Sequence, residues 1–271
     1  MAKFLIAAAL AAASVSPASA SAMADADPAI WVVNDHDTII YLFGTFHALD
    51  GRTAWFNDEV LTAFAASDEL VLETIVPDLA RGAPRSSGAS RPPLHPVAAT
   101  ASFLASTRLA ISAGRARGMS SANGADMVLR EAADAFGKPV IGLESFAAQL
   151  NMFRSMPTRP ARLARPGEAV GAAPDRVTMQ DLSVAMGEMQ TAWNRGDSRI
   201  FAMMLNQMRW NSPDTYHVMF TQRNAHWAGW IARRLQQPGT AFVAVGVGHL
   251  AGPDSVQAKL AELNIRSARI N

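Results

Sequence analysis

Residues 38–47 read TIIYLFGTFH, and this stretch decides the fold of the chain. Its β-branched and aromatic residues are typical of a buried strand. Gly44 is free to turn the backbone sharply where the strand ends, so that His47 follows at the carboxyl end. Open α/β sheets build their sites at that edge. The stretch therefore predicts a strand that presents a histidine to a site.

The same pattern returns near the C-terminus, where residues 240–249 read TAFVAVGVGH. Each stretch is an apolar run followed by Gly-x-x-His, and the second one ends in His249. A single such motif is usually a polar residue at a strand end with no further role. If the two strands are neighbours, however, both imidazoles point into one crevice, and the matched pair favours that interpretation.

Two more strands are predicted to end on carboxylates. The run 69–73 (ELVLE) ends at Glu73, and the run 138–143 (KPVIGL) is followed by Glu144. Two histidines with one or more carboxylates form a ligand set for a divalent transition metal. A metal held in this way keeps an open position for an activated water, and an unligated glutamate nearby can serve as general base.

A long helix is predicted from about residue 216 to 235, just before the second motif. Within it, Arg223 and Asn224 are candidates to orient a substrate carbonyl or to stabilise developing negative charge. The alternative is that Arg223 forms a salt bridge and Asn224 a hydrogen bond to solvent. Trp227 is expected in the core. His36, His95 and His217 are expected to be ordinary surface histidines.

The order of the elements predicts an α/β (α+β) fold. Its central mixed sheet is built from the N- and C-terminal segments, is flanked by helices and carries a helical middle insertion. The sequence predicts a hairpin between residues 31–33 and 38–43. Gly252 and Pro253 are predicted to cap and open a helix that runs to Leu263, and a last short strand is predicted over residues 265–270. The Pro-rich stretch 77–99 is predicted to be an exposed loop, and the Pro-rich stretch 157–175 is predicted to be a linker.

Composition excludes several classes of function. The 271 residues are 49% hydrophobic and 17% charged, so a sizeable core is expected. Basic and acidic residues are balanced, at 24 against 23, and no basic stripe with interleaved aromatics suggests nucleic acid as a partner. The absence of cysteine removes disulfides, thiolate metal ligands and cysteine nucleophiles.

The N-terminus is expected to be a secretory signal. Lys3 precedes an apolar, Ala-rich run over residues 4–15, and the small residues that follow Pro17 offer cleavage sites near residues 20–24. The run is too short to be a permanent membrane anchor. We therefore expect a signal peptide over residues 1–24, a single domain over residues 29–271, and a periplasmic or secreted product.

Five motifs in order resemble the TraB/PrgY/GumN family, which belongs to a Tiki-like superfamily with the erythromycin-esterase-like and ChaN-like proteins. The matching segments are, in chain order, LFGTFH at 42–47, SDELVLE at 67–73, GKPVIGLES at 137–145 with Gln149, RNxxW at 223–227, and VGVGHLAGPD at 245–254. Each motif alone is weak, but five in the right order are specific. Ser145 stands where threonine is usual in the family.

The resemblance implies a metal-dependent hydrolase core. Animal Tiki members of the superfamily are metalloproteases that use manganese or cobalt, and zinc is a further candidate. Their proposed site maps onto His47, His249 and Glu73 as metal ligands. Glu144 would be a further ligand or the base, and Arg223 and Asn224 would position the substrate.

Three hypotheses about function follow from the residues and the resemblance. The leading one is a periplasmic metallohydrolase that cleaves a peptide or a related amide, so its partner would be a peptide or small-molecule substrate. The competing class is a non-catalytic binding protein that captures a peptide, a signal or a haem-like ligand in the same crevice. The third is a degenerate member that is retained as a scaffold. Fold transfers within a family more safely than activity.

Overall fold

The structure, a computed structural model, describes residues 24–75, 109–155 and 178–271. The predictions for residues 1–23 of the signal segment and for the two Pro-rich stretches lie outside the described residues. So does the position of His95. Within the described residues, no helix is long and apolar enough to cross a membrane.

A six-stranded mixed sheet forms the centre of the fold, and a separate two-stranded parallel pair lies beside it. The strands are β1 (Ala24–Asp25), β2 (Ile30–Asn34), β3 (Thr38–Thr45), β4 (Thr53–Ala54), β5 (Glu69–Thr74), β6 (Val140–Glu144), β7 (Gly239–Gly246) and β8 (Ala268–Arg269). The order in the large sheet is β6-β5-β7-β3-β2-β8, and β1 pairs with β4.

The two ends of the chain meet in the middle of this sheet. The C-terminal strand β7 lies between β3 and β5 and runs parallel to both, with Thr45 opposite Gly246 and Leu72 opposite Ala244. Strand β6 continues the parallel order beyond β5. The hairpin of β2 and β3 is antiparallel, as predicted. The mixed sheet built from both ends of the chain is therefore confirmed.

Helices flank the sheet, as predicted. They are α1 (Asp58–Ala66), α2 (Ala125–Phe136), α3 (Phe146–Ser155), α4 (Met179–Asn194), α5 (Arg199–Asn211), α6 (Pro213–Tyr216), α7 (Gln222–Arg234) and α8 (Val256–Glu262). A π-helical turn, His217–Thr221, joins α6 to α7, and a 3₁₀ turn, Val247–Leu250, follows β7. Residues 109–115 are also helical.

Hydrophobic cores cover both faces of the sheet. Successive residues of the central strands alternate between them: Leu70 and Leu72 pack in the core on one face, and Val71 packs in the core on the other. The first core contains residues of α1, α2, α4 and α5, and the second contains residues of α7 and α8. Strands that are buried on both faces read as continuous apolar runs, which explains the uninterrupted pattern of residues 240–245.

The start of the last helix differs from the prediction. Ser255 is the N-cap of α8 and its hydroxyl accepts a hydrogen bond from the backbone N–H of Ala258, whereas Gly252 and Pro253 lie in the turn before it. Gly252 has a φ of 79°, a conformation that favours a turn over a helical start. The predicted last strand is also shorter, and only Ala268–Arg269 pairs with β2.

Candidate functional site

Four parallel strands bring the predicted site residues to one edge of the sheet. His47 follows β3 and His249 follows β7, while Glu73 lies near the end of β5 and Glu144 ends β6. Because β6, β5, β7 and β3 are neighbours and parallel, their carboxyl ends lie side by side. The topology therefore places all four side chains along one edge.

Gly246 lies at the centre of this arrangement. A Cβ at this position would stand 3.0 Å from Oε1 of Glu73, 3.2 Å from Nε2 of His47 and 3.7 Å from Cδ2 of His249. The backbone N–H of Gly246 also donates a hydrogen bond of 2.6 Å to Oε1 of Glu73. The last residue of β7 is thus a glycine in a space that three site side chains share.

Arg223, on α7, joins the two glutamates. Its Nη2 donates to Oε2 of Glu73 at 2.8 Å, and its Nε donates to Oε1 of Glu144 at 2.7 Å. The guanidinium group also lies over the ring of Trp227, 4.6 Å from its centroid. The Trp227 indole N–H donates to the same Glu144 oxygen at 3.0 Å. This nearly buried network satisfies two carboxylates with one fork-shaped cation.

The tautomer of His249 follows from its partners. Nδ2 of Asn224 donates to the backbone carbonyl of Asp254 at 2.7 Å, which leaves Oδ1 of Asn224 facing Nδ1 of His249 at 2.6 Å. Nδ1 must therefore carry the proton, and Nε2 carries the lone pair. Nε2 lies 3.1 Å from Nη1 of Arg223, which donates to it, and 3.7 Å from Oε1 of Glu73.

His47 has a carboxylate partner of its own. Its Nδ1 lies 3.1 Å from Oδ1 of Asp126, which is in the first turn of α2. The opposite ring nitrogen, Nε2, faces the space around Gly246. Unlike His249, His47 is exposed: 63% of its side chain is accessible to solvent. It therefore forms the open side of the site.

The electrostatics of the site hold its groups in defined charge states. Burial lowers the pKa of His249 to about 3 against the opposing charge of Glu73, so this imidazole is neutral at physiological pH. Burial alone raises the pKa of Glu73, but the charge of His249 once it is protonated at acidic pH, the charges of Arg223 and His47 and the Gly246 N–H more than offset it and lower the pKa to about 2. Partial desolvation of its ring lowers the pKa of His47, but the hydrogen bond and charge of Asp126 together with the charge of Glu73 raise it by more, to about 9.

Aromatic rings enclose the imidazole of His249. The ring of Trp227 lies 4.4 Å from it and the ring of Phe220 lies 4.9 Å from it, between centroids. Phe220 comes from the π-helical turn, where Gln222 donates its N–H to the carbonyl of His217. Such turns widen a helix by one residue and are frequent at functional sites. Trp227 is fully buried, as predicted.

The donor set fits a divalent transition metal in type and orientation. Each histidine has its Nδ1 held by an oxygen acceptor and directs Nε2 toward the space beside Glu73, which is the arrangement typical of metal-bound histidines. Binding also has two requirements. Arg223 must release Nε2 of His249, because this nitrogen has a single lone pair. His47, whose raised pKa keeps both ring nitrogens protonated at neutral pH, must lose the proton on Nε2.

A tighter group of ligand atoms lies elsewhere in the described residues. In the described part of the chain, one group of three histidine or carboxylate residues has its ligand atoms all within 4.8 Å of one another. It consists of Asp35, His36 and Asp37. These residues form the exposed turn between β2 and β3, and exposed acidic groups are common without a metal. The ligand atoms of His47, Glu73 and His249 are more widely spread, so a cation would also draw them together.

The sequence identified most of the residues that meet here and missed others. His47, Glu73, Glu144, Arg223 and His249 all lie in the cluster. Asn224 is buried and its amide is used by His249 and by Asp254. The missed residues are Asp126 and Phe220, because no motif or periodic pattern marks them. His36, His217 and also His226 are exposed.

The fold and the cluster define a class: an α/β protein with a charged His/Glu/Arg cluster at the carboxyl edge of its parallel strands. The sequence profile of the TraB/PrgY/gumN family matches residues 29–88 and 79–269, and the chain belongs to this family. A comparison with curated proteins finds no match, and neither does a comparison with solved structures.

Proposed function

We propose that this protein is a metal-dependent hydrolase of peptide or related amide bonds that acts in the periplasm or outside the cell. His47, Glu73 and His249 would hold one divalent cation, for which manganese and cobalt are the first candidates and zinc the next. When bound, such a cation supplies a Lewis acid that polarises a carbonyl and acidifies a water.

One observation carries the proposal. The histidines of two Gly-x-x-His motifs, about two hundred residues apart in sequence, converge on Glu73: Nε2 of His249 lies 3.7 Å from Oε1 of Glu73, and Nε2 of His47 faces Gly246, whose backbone N–H donates to the same oxygen. Neighbouring parallel strands place the two histidines side by side, but strand pairing alone does not orient both rings. Each Nδ1 is held by an oxygen that fixes the ring, as is typical of metal-bound histidines.

The other residues of the cluster have roles that follow from their contacts. Among the described residues, the hydrogen bonds to Glu144 all go to Oε1, so its second oxygen is available to accept a proton from a water. Arg223 supplies a fixed positive charge where negative charge develops on a substrate oxygen. Asn224 accepts a hydrogen bond from Nδ1 of His249 and so keeps the lone pair of this imidazole on Nε2, where the cation would bind.

Metal uptake tests the proposal directly. Purified protein is loaded with Mn²⁺, desalted and analysed for elements, and we expect about one equivalent per chain. His47→Ala and His249→Ala should each lose the bound metal. His226→Ala is the matched control, because this histidine is exposed on α7 and makes no hydrogen bond or ion pair to the cluster among the described residues, and it should keep the metal.

Activity is the second arm of the test. A peptide library is incubated with the metal-loaded protein and with the chelated protein, and cleavage should depend on the metal and on His249. Metal content that is the same in wild type, His47→Ala and His249→Ala would end the proposal. Metal uptake without cleavage of any peptide or amide would leave a metal-binding protein and end the hydrolase assignment.

A non-catalytic binding protein is the second candidate, and one contact favours it. Nη1 of Arg223 already donates to the lone pair of His249 that a metal would need. In that case the crevice would hold a peptide, a signal or a haem-like ligand beside a preformed cationic group. The elemental analysis separates the two candidates, since the binding protein takes up no Mn²⁺ through its histidines.

A further inference from the structure

Asp126 contacts His47 although it belongs to none of the motifs that mark the site. The two residues are 79 positions apart, and Oδ1 of Asp126 lies 3.1 Å from Nδ1 of His47. We propose that Asp126 is the positioning residue of His47, which holds the ring so that Nε2 faces the cation site. The inference rests on the proposed function and adds to it a residue in the helical part of the chain.

The backbone brings Asp126 to this position. The N–H of Ala125 donates to the carbonyl of Phe46 at 3.0 Å, which fixes the start of α2 against the residue before His47. Leu49 and Ser120 exchange two backbone hydrogen bonds, of 2.9 and 3.3 Å, and so join the loop after β3 to the segment before α2. The loop that carries His47 is therefore held by the segment that carries Asp126.

Gly124 permits this close approach. A Cβ at Gly124 would stand 2.4 Å from the backbone oxygen of His47 and 2.8 Å from its carbonyl carbon, both within the distance at which atoms clash. Any other residue would push the helix away from the loop. Such a shift would separate Asp126 from His47, so the glycine two residues earlier is part of the same arrangement.

The chemistry of the pair gives Asp126 its role. An ionised carboxylate only accepts hydrogen bonds, so Nδ1 of His47 must be the protonated nitrogen at this contact. Nε2 then lies on the far side of the ring and faces the space around Gly246. His47 is largely exposed, and its ring would rotate more freely without this partner. Such partners of metal-bound histidines typically change metal affinity by about 10- to 100-fold.

Calorimetric titration of the purified protein with Mn²⁺ tests this role. Asp126→Ala should weaken binding about 10- to 100-fold. Asp126→Asn keeps an oxygen acceptor without the charge, so its affinity should lie between those of Asp126→Ala and wild type. Asp58→Ala is the matched control, since Asp58 is likewise an acidic residue in the first turn of a helix, and this exposed residue lies outside the cluster, so the variant should bind as wild type does. Affinity that is unchanged in both Asp126 variants would overturn the inference.

Nitrogen NMR provides a readout that does not depend on the metal. In protein labelled with ¹⁵N-histidine, the His47 signals are assigned by their loss in His47→Gln. At neutral pH, Nδ1 of His47 should show the shift of a protonated nitrogen in wild type and in Asp58→Ala. It should move toward the unprotonated shift in Asp126→Ala.

The two arms separate failure of the inference from failure of the proposed function. If wild type takes up no Mn²⁺ but Nδ1 of His47 keeps its Asp126-dependent signal, the metal function is overturned and the positioning of the ring stands. A signal that is the same in wild type and Asp126→Ala would overturn the positioning itself. A structural role for Asp126 at the start of α2 would leave the signal unmoved.

Discussion

Replacing Arg223 by alanine is the perturbation that most directly tests the charge network. Only 9% of the Arg223 side chain is exposed, and its partners Glu73 and Glu144 are 15% and 13% exposed. The substitution removes the cation that both carboxylates share and leaves two negative charges in a site with little solvent. Breaking a buried pair by removing one partner costs about 3–5 kcal/mol.

We expect a loss of unfolding free energy in that range at neutral pH. For a chain of this size, such a loss lowers the melting temperature by on the order of 10 °C. Urea denaturation monitored by tryptophan fluorescence or circular dichroism gives the free energy, and calorimetry gives the melting temperature. Arg199→Ala is the control, because Arg199 is 87% exposed in its pair with Asp197 and should be replaceable without a measurable change.

The pH dependence of the stability difference between wild type and Arg223→Ala distinguishes a loss of charge from a simple loss of packing. In wild type, the pKa of Glu73 is lowered to about 2, so its contribution to stability is present above the ordinary glutamate pKa and is lost as the pH falls toward about 2. Without Arg223, the two carboxylates repel and the folded variant takes up a proton more readily. The difference in stability between wild type and variant should therefore shrink between pH 7 and about 5.

Two outcomes would refute this reasoning. One is a loss below about 1 kcal/mol at neutral pH, which would mean that solvent already screens the network. The other is a difference that stays constant or grows on acidification. The double variant Arg223→Met with Glu73→Gln provides a check, because removing one carboxylate together with the cation should recover a large part of the lost stability.

Three further predictions concern single side chains. Gly246→Ala should abolish Mn²⁺ uptake and lower the unfolding free energy by about 1–3 kcal/mol, since its methyl group would stand 3.0 Å from Oε1 of Glu73 and 3.2 Å from Nε2 of His47. Elemental analysis measures the metal uptake, and denaturation measures the stability. Gly229→Ala is the control, because its Cβ would make an ordinary contact at 3.6 Å, and it should leave metal uptake unchanged. Burial and a neighbouring carboxylate raise the pKa of Tyr216 to about 12, so in a Tyr41→Phe background the tyrosinate absorbance should rise near pH 12. The stability that the protonated phenol of Tyr216 contributes is present below about pH 10 and is lost as the pH rises through about 12; a transition near pH 10 in the folded protein would contradict this. Trp193→Phe should lower the unfolding free energy by about 1–3 kcal/mol, because the indole N–H donates a buried 2.7 Å hydrogen bond to the backbone carbonyl of Gly44, near the end of β3. An unchanged midpoint in urea denaturation would contradict this prediction.

Much of the fold could be predicted because the strands carry strong local signals. The apolar runs at residues 39–43 and 241–245 predict buried strands, and these strands are central in the sheet. The start of α8 was less predictable. Gly252 and Pro253 are typical of a helix boundary, but the Ser255 hydroxyl, which caps the first turn, fixes the boundary three residues later than Gly252.

The candidate site could be predicted in part for the same reason. Strand-end residues are visible in sequence, because a polar residue after an apolar run is a local pattern, and His47, Glu73 and Glu144 were found in this way. Asp126 and Phe220 lie on helical segments, where a single polar or aromatic residue has no distinguishing pattern. Their contribution depends on which loop or ring the helix meets, and that contact is made only in the folded chain.

The stretch at residues 38–47 and its repeat at residues 240–249 determine by themselves that each of two strands leads through a Gly-x-x-His motif to a histidine. The residue types also determine that the histidines and the strand-end glutamates are competent metal ligands. Only the tertiary structure decides that β7 lies between β3 and β5, since strand pairing over such a distance depends on the packing of the whole sheet. That pairing brings the two histidines to one glycine and places Arg223 between the glutamates, so the charge balance of the site is a property of the fold.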